Sequence, residues 1–187
     1  MADKRTAKSS TSAKKSGSAK KTAGAETTDR QNAEKGFTAS ATLSRDLQAV
    51  LVDLIELSLQ GKQAHWNVVG RNFRDMHRQL DEIIAAARAF SDDVAERMRA
   101  LHAVPDGRSA TIAGSTTLPE FPAGEVSTTD TVDLITRRLE ATVATMRSVH
   151  DAVDEEDPTS ADILHTIIEK LEQFAWMVSA ENRTPEG

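Results

Sequence analysis

Between residues 38 and 181 the large apolar side chains recur at three- and four-residue steps in four separate blocks. That spacing restricts the chain to amphipathic helices, each of which must pair with others to bury its stripe. The first block runs from Thr38 through Leu43, Leu47, Leu51, Leu54, Ser58, Gly61, His65 and Val68. A short break at Val69-Gly70-Arg71-Asn72 precedes a second stripe through Phe73, Met76, Leu80, Ile83, Ala87, Phe90, Val94, Met98 and Leu101. These two blocks predict an antiparallel helical hairpin. From about His102 to Thr129, Pro105, Gly107, Gly114, Pro119, Pro122 and Gly124 punctuate a stretch too long for a hairpin turn, which reads as a crossover. A third stripe follows through Val132, Ile135, Leu139, Val143, Met146, Val149 and Val153. Pro158 suits a first helical position with Asp157 as N-cap, and Ile163, Ile167, Leu171, Phe174 and Val178 carry a fourth helix.

Short loop, long crossover, short loop is the connectivity of an all-α, ferritin-like four-helix bundle with the long crossover between helices 2 and 3. Residues 37–187 are assigned to it. Residues 1–36 carry no large apolar side chain after Met1, cannot bury enough surface to offset chain entropy, and are expected to be a disordered tail. The chain has no Cys, which excludes disulfides, thiolate metal sites and cysteine nucleophiles. No apolar run reaches the roughly 18–20 residues of a membrane span, and no apolar segment follows the basic N-terminus as a secretory signal requires. A cytoplasmic protein with no membrane partner is expected.

The chemistry-bearing residues concentrate on the first two helices. His65 lies on the first apolar stripe, where a lone histidine would ordinarily be a hydrogen-bonded core residue. The second helix adds His77 with Asp81 and Asp92 with Glu96, each pair at i,i+4 and so on one face. Asp81 and Asp92 are separated by roughly 16 Å along the axis, so one chain cannot bring both pairs to one ion. The two pairs are mirror-placed about a point between Ala86 and Ala87, where the small residues Ala85-Ala86-Ala87 permit close approach. Two copies packed antiparallel across a twofold axis there would bring His77 and Asp81 of one chain to Asp92 and Glu96 of the other. In a hairpin turning near Arg71, His65 lies level with His77. The result is two equivalent intersubunit sites per dimer, each with two imidazoles and three carboxylates, a donor set suited to Fe(II) and its first-row neighbours. Trp66 would sit beside each as an oxidisable neighbour. The intrachain alternative, Glu-x-x-His on bundle helices, is missing: no Glu here has a His three residues later.

Lys62-Gln63-Ala64-His65-Trp66-Asn67-Val68-Val69-Gly70, Phe73, Met76-His77, Leu80-Asp81-Glu82 and Asp92-Asp93-Val94-Ala95-Glu96-Arg97 resemble the Dps family, the mini-ferritins that protect DNA in starved bacterial cells. The resemblance covers about residues 38–181, including Ala161-Asp162-Ile163-Leu164 and Phe174-Ala175-Trp176. It implies a homo-oligomeric, dodecameric hollow shell and two-metal ferroxidase sites at twofold interfaces, where Fe(II) is oxidised preferentially by hydrogen peroxide. His65, His77 and Asp81 match the ligands from one subunit, and Asp92 and Glu96 those from its twofold partner. Fe(III) is then stored as mineral, away from nucleoid DNA. Asp154, Asp157 and Asp162 are similar to the family's pore region, where carboxylates draw cations inward. His102, His150 and His165 are read as surface or boundary residues.

Net charge complicates the DNA assignment. The chain totals −6, yet residues 1–25 hold seven bases (Lys4, Arg5, Lys8, Lys14, Lys15, Lys20, Lys21) against one acid, leaving the remainder at −12. Lysine on an Ala/Ser/Gly backbone gives sequence-independent attraction to phosphate, driven largely by counterion release. No aromatic residue is interleaved, so base stacking is not expected. About 35 flexible residues reach roughly 35 Å, far enough for an acidic shell to hold double-stranded DNA away from its own surface. Several tails per particle add avidity. A nucleoid-compacting structural protein with incidental metal binding is the competing reading. Gel retardation across a salt series should show a DNA shift by the full chain and its loss on removing residues 1–30; equal shifts would remove the tail assignment.

Overall fold

The computed structural model describes residues 36–185, and the seven tail bases lie outside them. Four long helices make the bundle: α1 (Ala41–Asn67), α2 (Phe73–Ala100), α4 (Thr128–Glu156) and α5 (Pro158–Ser179). A short helix, α3 (Ser109–Ser115), lies inside the crossover, and a 3-10 turn (Ala180–Asn182) follows α5. The four apolar stripes supply most of the core: Leu54, Leu80, Ile83, Ile135, Leu139, Leu164, Ile167 and Leu171 are all fully buried. Gly61 sits on the α1 stripe because a Cβ there would come within 2.8 Å of the Ile84 side chain, so its absence lets α2 approach. No described helix is long and apolar enough to cross a membrane.

Side-chain bonds between the ends of the elements fix the direction of each helix. Ser40 caps α1 by accepting from the Leu43 amide at 3.1 Å, while its own N–H and hydroxyl donate to Glu156 at 2.8 and 2.6 Å. The start of α1 therefore meets the end of α4. At the other end of the bundle, the chain reverses through Gly70 (φ 121°) and Asn72 (φ 58°), both left-handed. Two-residue strands β1 (Val68–Val69) and β2 (Val126–Ser127) pair in parallel there, Val68 with Val126 and Val69 with Ser127. They join the α1–α2 turn to the start of α4. Ser127 then caps α4 by accepting from the Asp130 amide at 3.1 Å.

The crossover must run the length of the bundle, and buried polar side chains pin it. Gln48 behaves like a strand neighbour, donating to the Asp106 carbonyl and accepting from its amide, both at 2.8 Å. Asp53, 0% exposed, accepts four hydrogen bonds. They come from the Thr116 hydroxyl (2.8 Å), the Thr117 amide (2.8 Å), the Thr117 hydroxyl (2.6 Å) and the Thr145 hydroxyl of α4 (2.7 Å). Arg138, 1% exposed, donates to the carbonyls of Pro119 (3.1 Å), Glu120 (2.7 Å) and Leu134 (2.8 Å), and to the Gln60 amide oxygen. Its guanidinium also lies 4.9 Å from the Phe121 ring centroid. Burial, with Arg137 nearby, lowers the Arg138 pKa from its ordinary value, but a guanidinium stays charged in proteins. Both charges are tolerable because nearly all their hydrogen-bonding capacity is used.

Asp53→Ala leaves the Thr117 amide and three hydroxyls without this acceptor. Urea unfolding should show a loss of about 3 kcal/mol, accompanied by faster hydrogen exchange at the Thr117 amide. A loss below about 1 kcal/mol would show that Asp53 does not hold the crossover.

Candidate metal centre at the α1–α2 turn

His65, in the penultimate position but one of α1, and His77, in the second turn of α2, face one another across the hairpin. Their rings stack with centroids 3.6 Å apart at 23°. Each Nδ1 lies 3.0 Å from the other residue's main-chain carbonyl oxygen. A carbonyl only accepts, so each Nδ1 must carry a proton, which makes Nε2 the nitrogen of each ring that can offer a lone pair. Metal-binding histidines are commonly oriented in this way, by a bond at the second nitrogen. His65 is buried, His77 is half-buried, and Phe73 packs near His77 with ring centroids 5.1 Å apart.

Asp81 completes the set from one turn further along α2: ligand atoms of His65, His77 and Asp81 all lie within 4.8 Å of one another. Its carboxylate is exposed, 3.4 Å from His65 Nδ1 and 2.7 Å from Lys62 Nζ. The hydrogen bond from Lys62 is the main cause that holds the Asp81 carboxyl below its ordinary pKa. Lys62 is one turn before His65 on α1, and sequence reasoning gave it no role. The i,i+3 spacing from His65 was the available signal. The ammonium already occupies one face of the carboxylate, so an incoming cation competes with it.

The remaining sequence-derived candidates divide by position. Asp92 and Glu96 are exposed on α2, one and two turns past the Ala85-Ala86-Ala87 run, and the chain does not bring them to His65, His77 and Asp81. Trp66 is next to His65 and 71% exposed. Asp154 and Asp162 are exposed near the α4–α5 turn. Asp157 differs from the pore expectation. Its carboxylate is buried and takes Arg97 Nη2 at 2.9 and 2.7 Å on its two oxygens, together with the Ser160 hydroxyl. Burial raises its pKa, but the Ser160 and Arg97 bonds outweigh that and hold it below the ordinary value. Asp157 stands at the N-cap position of α5, with Pro158 as expected, but its side chain makes no capping bond. The buried ion pair with α2 has taken the carboxylate instead.

The ferritin-like domain family matches residues 45–184. The chain is 34% identical over 134 residues to "DNA protection during starvation protein 2" of Deinococcus radiodurans, a match covering 72% of this chain and 56% of that protein. It therefore spans little more than half the length of that relative. The chain is also 35% identical over 138 residues to the "Fine tangled pili major subunit" of Haemophilus ducreyi, covering 74% of this chain and 73% of that one. Among solved structures, Dps from Microbacterium arborescens in its high iron form superposes with a TM-score of 0.72 at 32% identity, covering 78% of this chain and 98% of its own.

Removal of the competing ammonium should strengthen metal binding. Lys62→Met is expected to bind the first Co(II) about two- to fivefold more tightly in a spectroscopic titration. Weaker binding would instead make Lys62 a support for the site.

Proposed function

Because the chain belongs to the Dps family of ferritin-like proteins, we propose that it oxidises Fe(II), preferentially with hydrogen peroxide, at sites shared between twofold-related subunits. The ferric product is stored inside a hollow dodecameric shell. One observation carries this reading: the reciprocal Nδ1 bonds of His65 and His77 leave an Nε2 lone pair on each ring, and the Asp81 carboxylate belongs to the same cluster. Nitrogen and oxygen donors in this mixture fit Fe(II), the substrate. Three ligands leave an open coordination sphere, which the partner subunit's Asp92 and Glu96 are proposed to complete.

Exposed apolar side chains support a subunit contact at this end of the molecule. Leu59 and Trp66 are two turns apart on α1, with Val69 and Phe73 beyond them at the turn, and all four are substantially exposed. Such a cluster around a polar centre marks a surface that becomes covered. The chemistry balances simply. Two Fe(II) give up one electron each, and hydrogen peroxide takes both, with two protons, to leave two waters. A paired delivery of electrons avoids the hydroxyl radical that a single transfer would release. The Lys-rich tail (Lys4, Arg5, Lys8, Lys14, Lys15, Lys20, Lys21) is proposed to hold DNA through phosphate contacts alone, so that the peroxide and iron consumed are those nearest the nucleoid. Asp154 and Asp162 remain the candidates for leading Fe(II) through the shell.

Complementation tests the shared site directly. His65→Ala and Asp92→Ala assemblies should each lose peroxide-dependent Fe(II) oxidation. When the two variants are refolded together at equal amounts, about a quarter of the sites should regain all five ligands. Activity should return to that extent. No recovery would remove the intersubunit site, and wild-type rates in both single variants would leave the DNA-compacting reading instead.

A further inference from the structure

We infer that the α4–α5 hairpin carries a second divalent-cation site, built within one chain from His150 and His165 with Glu169 as the third ligand. The two Nε2 atoms are 2.6 Å apart. Two bare Nε2 lone pairs cannot face each other at that distance, so one ring donates an Nε2–H to the other, and a divalent ion can take the place of that proton. The surroundings favour a metal ion over a shared proton. His150 Nδ1 is 3.1 Å from the Asp151 carboxylate, and His165 Nδ1 is 3.7 Å from that of Asp162. A carboxylate on the outer nitrogen keeps the proton there and makes the inner nitrogen a stronger donor, the arrangement usual around metal-bound histidine. Here His150 has that bond, and the Asp162 carboxylate stands close enough to His165 Nδ1 to form one after a small side-chain rotation.

The site is accessible, and a carboxylate stands at its rim. His150, Asp151, His165 and Glu169 line one surface cavity together with Arg147 and Glu172. Glu169 lies one turn after His165 on α5, on the same face. The Arg147 guanidinium is tied to Glu172, so the cation at the rim is already neutralised. Tetrahedral coordination with N–metal bonds of 2.0–2.1 Å requires an N···N separation of about 3.3 Å. The side chains of His150 and His165 are 23% and 57% exposed, so a small χ rotation opens the pair to that separation. Two imidazoles, one carboxylate and a water select a borderline first-row ion, Zn(II) above all.

This site is separate from the first. His65 and His77 lie at the α1–α2 turn, where β1 meets β2, whereas His150 and His165 lie about 10 Å from the α4–α5 turn, toward the end where Ser40 meets Glu156. The full chain carrying His65→Ala and Asp81→Asn, which lacks the first site, isolates the second. Equilibrium dialysis of that protein should find one Zn(II) per chain, and Co(II) in its place should give the intense visible absorption of a tetrahedral ion. Adding His150→Gln or His165→Gln should weaken Zn(II) binding at least tenfold, and Asp151→Asn, which touches no metal, about tenfold. Zn(II) should raise the Tm of the parent and leave that of either Gln variant unchanged, while all have the same Tm without metal. If the parent binds no Zn(II), the histidines share a proton and the site is overturned. Binding that survives both Gln substitutions overturns it equally.

Discussion

His65 and His77 each commit one ring nitrogen to the other's main chain, and this reciprocal bond does two jobs at once. It ties α1 to α2 beside the turn, and it satisfies the His65 carbonyl in the last turn of α1, where helix hydrogen bonding runs out. It also fixes the tautomer of both rings, which decides where their lone pairs point. The candidate metal centre is thus a by-product of how the hairpin is tied. Little reorganisation is needed when a cation arrives, apart from the displacement of Lys62 from Asp81, because the imidazoles are stacked and half or fully buried before it does.

A hairpin alone would not hold this geometry; the second hairpin must be laid against it in the correct direction. That is the task of the crossover, and it explains why charged residues occupy the core. Asp53 on α1 and Arg138 on α4 face the crossover rather than each other: Asp53 gathers an amide and hydroxyls, and Arg138 gathers two carbonyls. Apolar residues of similar size would pack there, but they would leave the crossover's amides and carbonyls without partners. Directional bonds select one path along the bundle where a hydrophobic contact would accept several.

The sequence pattern revealed the long helices well because burial of one face imposes a period, and caps and Pro158 mark the ends. Thr38 as the start of the first helix was early by three residues, since Ser40 caps Ala41. The short elements were hidden for the same physical reason: α3 has one turn of apolar content, Ile112, and β1 and β2 are two residues each, too short to show alternation. Asp53 and Arg138 were missed because their partners are far along the chain. The meeting of His65, His77 and Asp81 could be assembled from i,i+4 spacing and the mirror position of His65 and His77 about Arg71. Sequence also placed Asp157 at the start of α5, yet could not foresee that Arg97, sixty residues away, would take its carboxylate.

The same mirror argument applied to the second turn would have found His150 and His165, which lie seven residues before and eight after Asp157. They were passed over because neither lies on an apolar stripe, and a surface histidine carries no expectation of a partner. Yet the two pairs differ in a way that follows from burial. His65 and His77 are held by main-chain carbonyls, rigid and always present, and their coordination sphere is left open. His150 is bonded to the exposed Asp151 carboxylate, Asp162 stands near His165, and Glu169 lies one turn further along α5. The first arrangement suits a site that a neighbouring subunit must finish, where an ion is bound, altered and passed on. The second is complete within one chain and has no reason to depend on assembly. Two histidine pairs on one bundle can therefore respond to different conditions, one to subunit contact and the other to metal concentration alone.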